Sequence, residues 1–351
     1  MNDIMDEYTN KGLTGLTNLG NTCYINSSLQ IMSHVYELNE YITHFFSKEH
    51  PKNDTNIIFL KEWNDLHKLM WSKNCIISPN RFIGVIQKMA KQKQNDIFAG
   101  FHQNDSTEFV YFIISIFHDA LKGASDVDTL FQCQLNDFEH QGISPKSDFV
   151  RYLKIYHKNN YSIMDTLFGI YCKMDIVDSS SSKVLSSKYE NFYMLDIALT
   201  STSLDECLKI HFANELMNKE NDNQYYDDKE KCYKDVIKKY AIYYPPRYFI
   251  VQLKRWNHNL RKNQRIIHYD INSIDLNPFI HKNTRDKTVT TYSLFGIINH
   301  SGNIYGGHYF SFLKNTNGKW YVYNDTQVQE ISEQKLLCNK NYCLIYRRNQ
   351  T

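Results

Sequence analysis

Cys23 ends a short loop, Asn18-Leu-Gly-Asn-Thr-Cys23, and beyond it Ile25, Leu29, Met32 and Tyr36 recur at helical spacing. A thiol in the first turn of a helix meets unpaired backbone N–H groups and the positive end of the helix dipole. Both favour the thiolate, which is the nucleophilic form of cysteine. The same N–H groups, with a side-chain amide such as Asn18, can donate to an oxyanion that forms beside the sulfur. A buried structural thiol is the plainer reading of any one of the eight cysteines, and the Gly- and Asn-bearing loop ahead of Cys23 weighs against it.

A nucleophilic cysteine needs a base, and of 14 histidines His308 stands out. Gly306-Gly307 precede it, and glycines let a chain approach another segment without Cβ clashes. A strand His308-Tyr-Phe-Ser-Phe-Leu-Lys314 follows, then a turn Asn315-Thr-Asn-Gly318, then Lys319-Trp-Tyr-Val-Tyr-Asn-Asp325. Paired as a hairpin, these put His308 across from Asn324 or Asp325 according to register, and the face shared with Trp320 and Val322 favours Asn324. Either side chain would accept the imidazole N–H and hold the ring in its reactive tautomer. An amide stabilises imidazolium less than a carboxylate does, which a Cys–His pair tolerates because the thiol is already acidic.

Helices and strands must carry these groups. Phe59, Trp63, Leu66 and Met70 form a second helical stripe. A third helix starts with Ser78 as N-cap and Pro79 at its first position, and buries Phe82, Val85, Ile86 and Met89. A fourth follows Asn104-Asp105, with Phe109, Phe112, Ile113, Ile116, Phe117 and Ala120. Residues 122–147 are polar and irregular and read as a connecting loop. Beyond them the texture changes to aromatic and β-branched runs, at 166–176, 190–199, 248–256, 292–298, 308–314, 319–323 and 342–347. The serine run at 179–182 and the charged, Asn-rich stretch at 218–231 read as exposed loops or hairpin tips. The expected class is α+β, a helical first lobe and a mostly antiparallel second one.

Composition sets the surroundings. A chain of 351 residues that is 42% hydrophobic can bury a sizeable core. A net charge of +2 gives no overall field for nucleic acid. The longest apolar run, 110–117, is too short to cross a bilayer, and residues 1–12 lack the features of a signal peptide. Eight scattered cysteines in such a chain read as reduced thiols, so a cytosolic or nuclear protein without nucleic-acid or membrane partners is expected.

The Cys23 segment resembles the Cys box of the ubiquitin-specific proteases, and Gly306-Gly-His-Tyr309 with Trp320-Tyr-Val-Tyr-Asn-Asp325 resembles their His box. Gln103-Asn-Asp-Ser-Thr-Glu-Phe109 and Tyr244-Pro-Pro-Arg-Tyr-Phe-Ile-Val-Gln-Leu-Lys-Arg-Trp256 are similar to two further family elements, in the family's order. The resemblance covers about 12–348 and implies one catalytic domain with a papain-like cysteine peptidase core. In it a helical thumb (about 12–150), antiparallel β fingers (about 160–245) and an antiparallel β palm with the His box (about 246–348) follow a polar tail, 1–11.

The resemblance implies a deubiquitinating thiol isopeptidase, with Cys23 as nucleophile, His308 as base, Asn324 as third triad member, Asp325 as assisting carboxylate and Asn18 as oxyanion amide. It also implies that Gln103, Asp105, His300, Gly306, Gly307 and Tyr309 line the channel for the ubiquitin tail. No cofactor is implied; the partners are ubiquitin and ubiquitinated proteins, met as a monomer or through a recruiting protein. Many members hold a structural zinc on two Cys-x-x-Cys pairs. Here Cys172 and Cys232 keep one thiol each, with Asp175 and Asp235 in the second places, so no metal is expected. Two alternatives stay open: a non-catalytic ubiquitin-binding scaffold, and a protease for another ubiquitin-like modifier.

Overall fold

The computed structural model describes residues 8–47, 54–122, 127–140, 143–144, 146–285 and 289–349. At its centre lies α1 (Cys23–Ser33), every residue of which is buried. A helix covered on all sides must satisfy its own polar groups. Gln30 Nε2 donates to the Thr14 carbonyl at 2.8 Å, and Ser28 Oγ donates to the Tyr24 carbonyl at 2.7 Å and meets Ser106 Oγ at 3.1 Å. On one side pack α2 (Tyr36–Phe45), α3 (Thr55–Ser72), α4 (Asn80–Gln92) and α5 (Ser106–Leu121). One apolar cluster runs from Leu29, Trp63, Phe82 and Phe117 in these helices to Ile298, Leu313 and Ile345 in the sheet on the other side.

That sheet has eight strands. Its path is β15 (Gln327–Ile331), β14 (Trp320–Asn324), β13 (Gly306–Lys314), β12 (Thr291–Asn303), β16 (Asn341–Arg348), β10 (Tyr248–Lys254) and β5 (Leu195–Ala198), with β11 (Ile274–Asp275) beside β12. All pairs are antiparallel except β5–β10. A second, four-stranded sheet has the order β4 (Val184–Phe192), β3 (Ile170–Asp178), β9 (Val236–Tyr244), β6 (Glu215–Met217). A small hairpin, β7 (Tyr225–Asp227) and β8 (Cys232–Lys234), lies within 218–235. Helix and sheet layers are also tied by charge: Glu37 of α2 accepts from Tyr248 Oη at 2.5 Å, Arg347 Nη2 at 2.7 Å and Arg247 Nε at 3.3 Å.

Several expectations need correction. The stretch 122–147 holds a helix, α6 (Val127–His140), where a loop was expected; Phe138 is buried beside Phe149 and Tyr244. A second helix, α7 (Asp148–Tyr156), is capped by Ser147. The run read as a strand from 166 begins as α8 (Ile163–Phe168), and β3 starts only after Gly169. The first stripe breaks at His34, so Tyr36 opens α2 instead of extending α1. The third helix starts at Asn80 with Pro79 as its N-cap, one residue later than expected. Helix α9 (Leu204–His211) and strand β9 carried no distinct signal. Tyr8, within the expected polar tail, is buried against Tyr36 and Trp71.

Candidate active site

The loop ahead of α1 is folded around one amide. Asn18 Oδ1 accepts from the Gly20 N–H at 3.0 Å, the Thr22 N–H at 3.1 Å and Thr22 Oγ1 at 3.2 Å. Three donors on one atom fix which end of the amide is oxygen, so the NH2 end faces away from the loop. There it donates to Asp325 Oδ2 at 3.0 Å. Asn21 and Gly20 take left-handed backbone angles, φ +55° and +100°, and the chain then enters α1 at Cys23. Cys23 is a free thiol, 4% exposed.

Almost three hundred positions later, β13 brings His308 to the same place. The β13–β14 register pairs Phe312 with Val322 and Ser311 with Tyr323. Its continuation sets Asn324 diagonal to His308 on one face, so the pair meets by a same-face diagonal instead of directly across. Asn324 Oδ1 lies 2.5 Å from His308 Nε2. Cys23 is the strongest influence on the protonation of the imidazole, and with Nε2 taken by Asn324, Nδ1 is the ring nitrogen left for it. That influence pushes the His308 pKa up to about 9. Burial opposes it, while the Asn324 bond and the charges of Cys23 and Asp325 add to it.

Asp325 adopts φ +50°, a conformation Asp tolerates better than most residues, and its carboxylate is taken up by two amides. Its Oδ1 accepts from Asn26 Nδ2 at 2.8 Å, its Oδ2 from Asn18, and its backbone carbonyl from the Leu16 N–H at 2.8 Å. This joins strand β1 (Gly15–Leu16), paired with β2 (Ile76–Ile77), to the β14–β15 turn. A Cβ on Gly15 would lie 2.3 Å from the Thr326 carbonyl oxygen, so only glycine fits there.

A cleft opens beside Cys23, lined among others by Asn21, Gln103, Asp105, His300, Gly306, Gly307 and Tyr309. All six residues expected to line a tail channel therefore share one cleft with the thiol. Gln103 bridges it, accepting from the Gly307 N–H at 3.1 Å and donating to Asn21 Oδ1 at 3.2 Å. Asp105 caps α5 through the Thr107 N–H at 2.7 Å, and its other oxygen accepts from Tyr342 Oη at 2.5 Å, so both oxygens are engaged. A Cβ on Gly307 would stand 2.1 Å from His300 Nε2.

A family model described as Ubiquitin carboxyl-terminal hydrolase matches residues 14–346. The chain belongs to that family. Among curated relatives, it is 25% identical to ubiquitin carboxyl-terminal hydrolase 2 of Bos taurus, over 98% of this chain and 56% of that one. It is 28% identical to ubiquitin carboxyl-terminal hydrolase Usp2 of Drosophila melanogaster, over 96% of this chain and 35% of the relative. With the probable ubiquitin carboxyl-terminal hydrolase R319 of Acanthamoeba polyphaga mimivirus it shares 24% identity, over 96% of this chain and 90% of the relative. The chain thus spans about half the length of the bovine protein. Its fold is shared with the SAGA Ubp8/Sgf11/Sus1/Sgf73 DUB module bound to ubiquitin aldehyde, at TM-score 0.72 and 24% identity, covering 98% of this chain and 71% of that one. The papain-like α+β class is the one expected from the sequence.

The four residues in the family's zinc positions do not converge on a common point. Cys172 and Asp175 are three apart on β3 and so point to opposite faces. The Cys172 thiol is pushed up to about 12 by burial and sits against Tyr240. Asp175, against the cost of its burial, is held well below the usual carboxylate range by His281, Ser187 and Lys173. Asp235 accepts from Gln224 Nε2 at 2.8 Å, and Cys232 is exposed at the start of β8. Zinc needs four donors on one tetrahedron, and these residues do not fit it.

Sequence reasoning missed Asn26, Trp256, Lys262 and Tyr342, all at or beside this site. Asn26 lies one turn after Cys23 on a fully buried helix, and the polar stripe Thr22, Asn26, Gln30 and Ser33 at helical spacing beside an apolar one is the signal that could have found it.

Proposed function

We propose that this protein is a cysteine-type deubiquitinase. It hydrolyses the bond between the C-terminal glycine of ubiquitin and a lysine or peptide amine, through Cys23, His308 and Asn324. The observation that carries the reading is His308, hydrogen-bonded to Asn324 Oδ1 and coupled in its protonation to Cys23, which itself lines a cleft with Gly306 and Gly307.

His308 Nδ1 takes the Cys23 proton, and the thiolate attacks the terminal glycine carbonyl. The Cys23 backbone N–H, at the start of α1, and the Asn18 amide receive the oxyanion. Each such donor is worth about 3 kcal/mol in the transition state. Asn18 is supported in this role by its pinned oxygen and by Asp325, which holds the NH2 end through one hydrogen and leaves the other to the substrate. As the tetrahedral adduct collapses, the C–N bond breaks and His308 gives its proton to the departing amine. Water, deprotonated by His308, then attacks the thioester, releasing the ubiquitin carboxylate and the thiol. Gly306 and Gly307 keep the channel narrow, favouring a tail that ends in glycines.

The test is cleavage of ubiquitin bearing a C-terminal fluorogenic amide, beside matched substrates made from other ubiquitin-like modifiers. We expect turnover of the ubiquitin substrate that Cys23→Ala and His308→Ala abolish. Turnover that survives Cys23→Ala, or release from another modifier in preference to ubiquitin, would overturn the reading.

A further inference from the structure

We propose that Lys262 is a positioning residue of the cleft: by donating to Nδ1 of His300 it fixes the tautomer whose Nε2–H points into the cleft, ready for a backbone carbonyl of the substrate's C-terminal segment. The substrate in this statement rests on the deubiquitinase reading; the tautomer does not.

Lys262 lies in the loop that follows β10, and Arg255 holds that loop in shape. Arg255 Nη1 donates to the carbonyls of Asn263 and Arg265, each at 2.9 Å, and its backbone carbonyl accepts from the Asn263 N–H at 2.6 Å. The loop delivers Lys262 Nζ to 2.9 Å from His300 Nδ1 and 2.6 Å from the His300 carbonyl oxygen. An ammonium has three donors and no acceptor, so the nitrogen it meets must be the bare one. The ring proton then belongs on Nε2.

Three further observations lock that arrangement. Burial, then the Lys262 charge, pull the His300 pKa down to about 4, so the ring is neutral near pH 7. Lys262 is itself pulled down to about 8 by burial and by Arg255, with Lys340 adding and Cys338 opposing, and is still mainly the ammonium at pH 7. The imidazole is packed among the rings of Tyr309, Tyr342 and Trp256, with centroids 4.6, 5.7 and 5.9 Å away, which resists a ring flip.

Nε2 is the free end. Among the described residues it has no hydrogen-bond partner, and it lies against Gly307 in the wall of the cleft that contains Cys23. An extended peptide in that cleft presents carbonyls, which need donors. The Gly307 N–H is already engaged by Gln103, so the His300 Nε2–H is a donor held ready on that wall.

The test uses the full chain with 15N-labelled histidine, and long-range proton–nitrogen correlation spectra in which His300 is assigned by its loss in His300→Gln. We expect the wild type to carry its proton on Nε2, Lys262→Arg to keep it there, and Lys262→Met to shift it partly to Nδ1. On fluorogenic ubiquitin, Lys262→Met should raise KM roughly 2- to 10-fold, the worth of one neutral hydrogen bond, with kcat within about twofold and Lys262→Arg near wild type. A proton on Nδ1 in the wild type, or a tautomer indifferent to Lys262→Met, would refute the positioning role even if the protein cleaves nothing. A shifted tautomer with unchanged KM would refute the contact between Nε2–H and the tail.

Discussion

Removing the Cys23 sulfur should release His308. Its pKa stands at about 9 against 6.5 for free imidazole, and the first cause is Cys23. The full interval corresponds to roughly 3 kcal/mol in favour of the imidazolium over the neutral ring. His308 is only partly buried, so solvent screening reduces the realistic worth of the pair to about 1–2 kcal/mol. The sign follows from linkage. A histidine raised above its unfolded value contributes stability that is complete below about pH 6.5 and is lost as pH rises through about 9. In Cys23→Ala the partner charge is gone, and only Asn324 and the more distant Asp325 still favour imidazolium. The His308 titration, followed by NMR of the ring protons, should therefore move clearly down toward 6.5, and the alkaline loss of stability should flatten. If His308 titrates at the same pH with and without the sulfur, the two side chains are not coupled and the ion-pair reasoning fails.

Asn324→Ala should lower kcat/KM roughly 10- to 100-fold, the worth of a hydrogen bond to a charged ring, while Cys23→Ala removes turnover altogether; equal losses would contradict this division of roles. Gly15→Ala should cost about 1–3 kcal/mol in denaturant unfolding, because the new Cβ collides with the Thr326 backbone, and an unchanged midpoint would show that the turn bearing Asp325 has room to move. Burial holds His34 at about 4 and His67 at about 3, so each adds stability that is present above pH 6.5 and is lost as pH falls below it, about 2 kcal/mol by pH 5. His118, raised by Asp165, works in the opposite direction, so the comparison must be with His67→Gln, whose unfolding free energy should fall less steeply between pH 6.5 and 5; an equally steep fall would be contrary.

The parts of the site that local chemistry dictates were readable in advance. A Gly- and Asn-rich loop running into an apolar stripe places Cys23 at a helix start, and the two-residue period of a strand puts His308 and Asn324 on one face. The diagonal offset between them depends on the turn at 315–319, where the Asn315 N–H donates to the Lys319 carbonyl at 2.9 Å. Other features were hidden by their surroundings. Helix α6 spreads Phe131, Leu135 and Phe138 through a polar background, and its burial partners, Phe149 and Tyr244, come from distant segments. Strand β9 carries Lys238 and Lys239 on a half-exposed sheet, which masked its alternation. Contacts such as Asn26 with Asp325, 299 positions apart, and Lys262 with His300, 38 apart, exist only once the layers have packed.

The most direct test of the central claim is covalent capture by ubiquitin carrying an electrophile in place of its C-terminal carboxylate, with the modified peptide located by mass spectrometry. We expect one ubiquitin per chain, attached at Cys23, and none on Cys23→Ala although the other seven thiols remain free. An unmodified chain, or ubiquitin attached at Cys75, Cys133, Cys232 or any other thiol with Cys23 untouched, would contradict the assignment of Cys23 as the nucleophile.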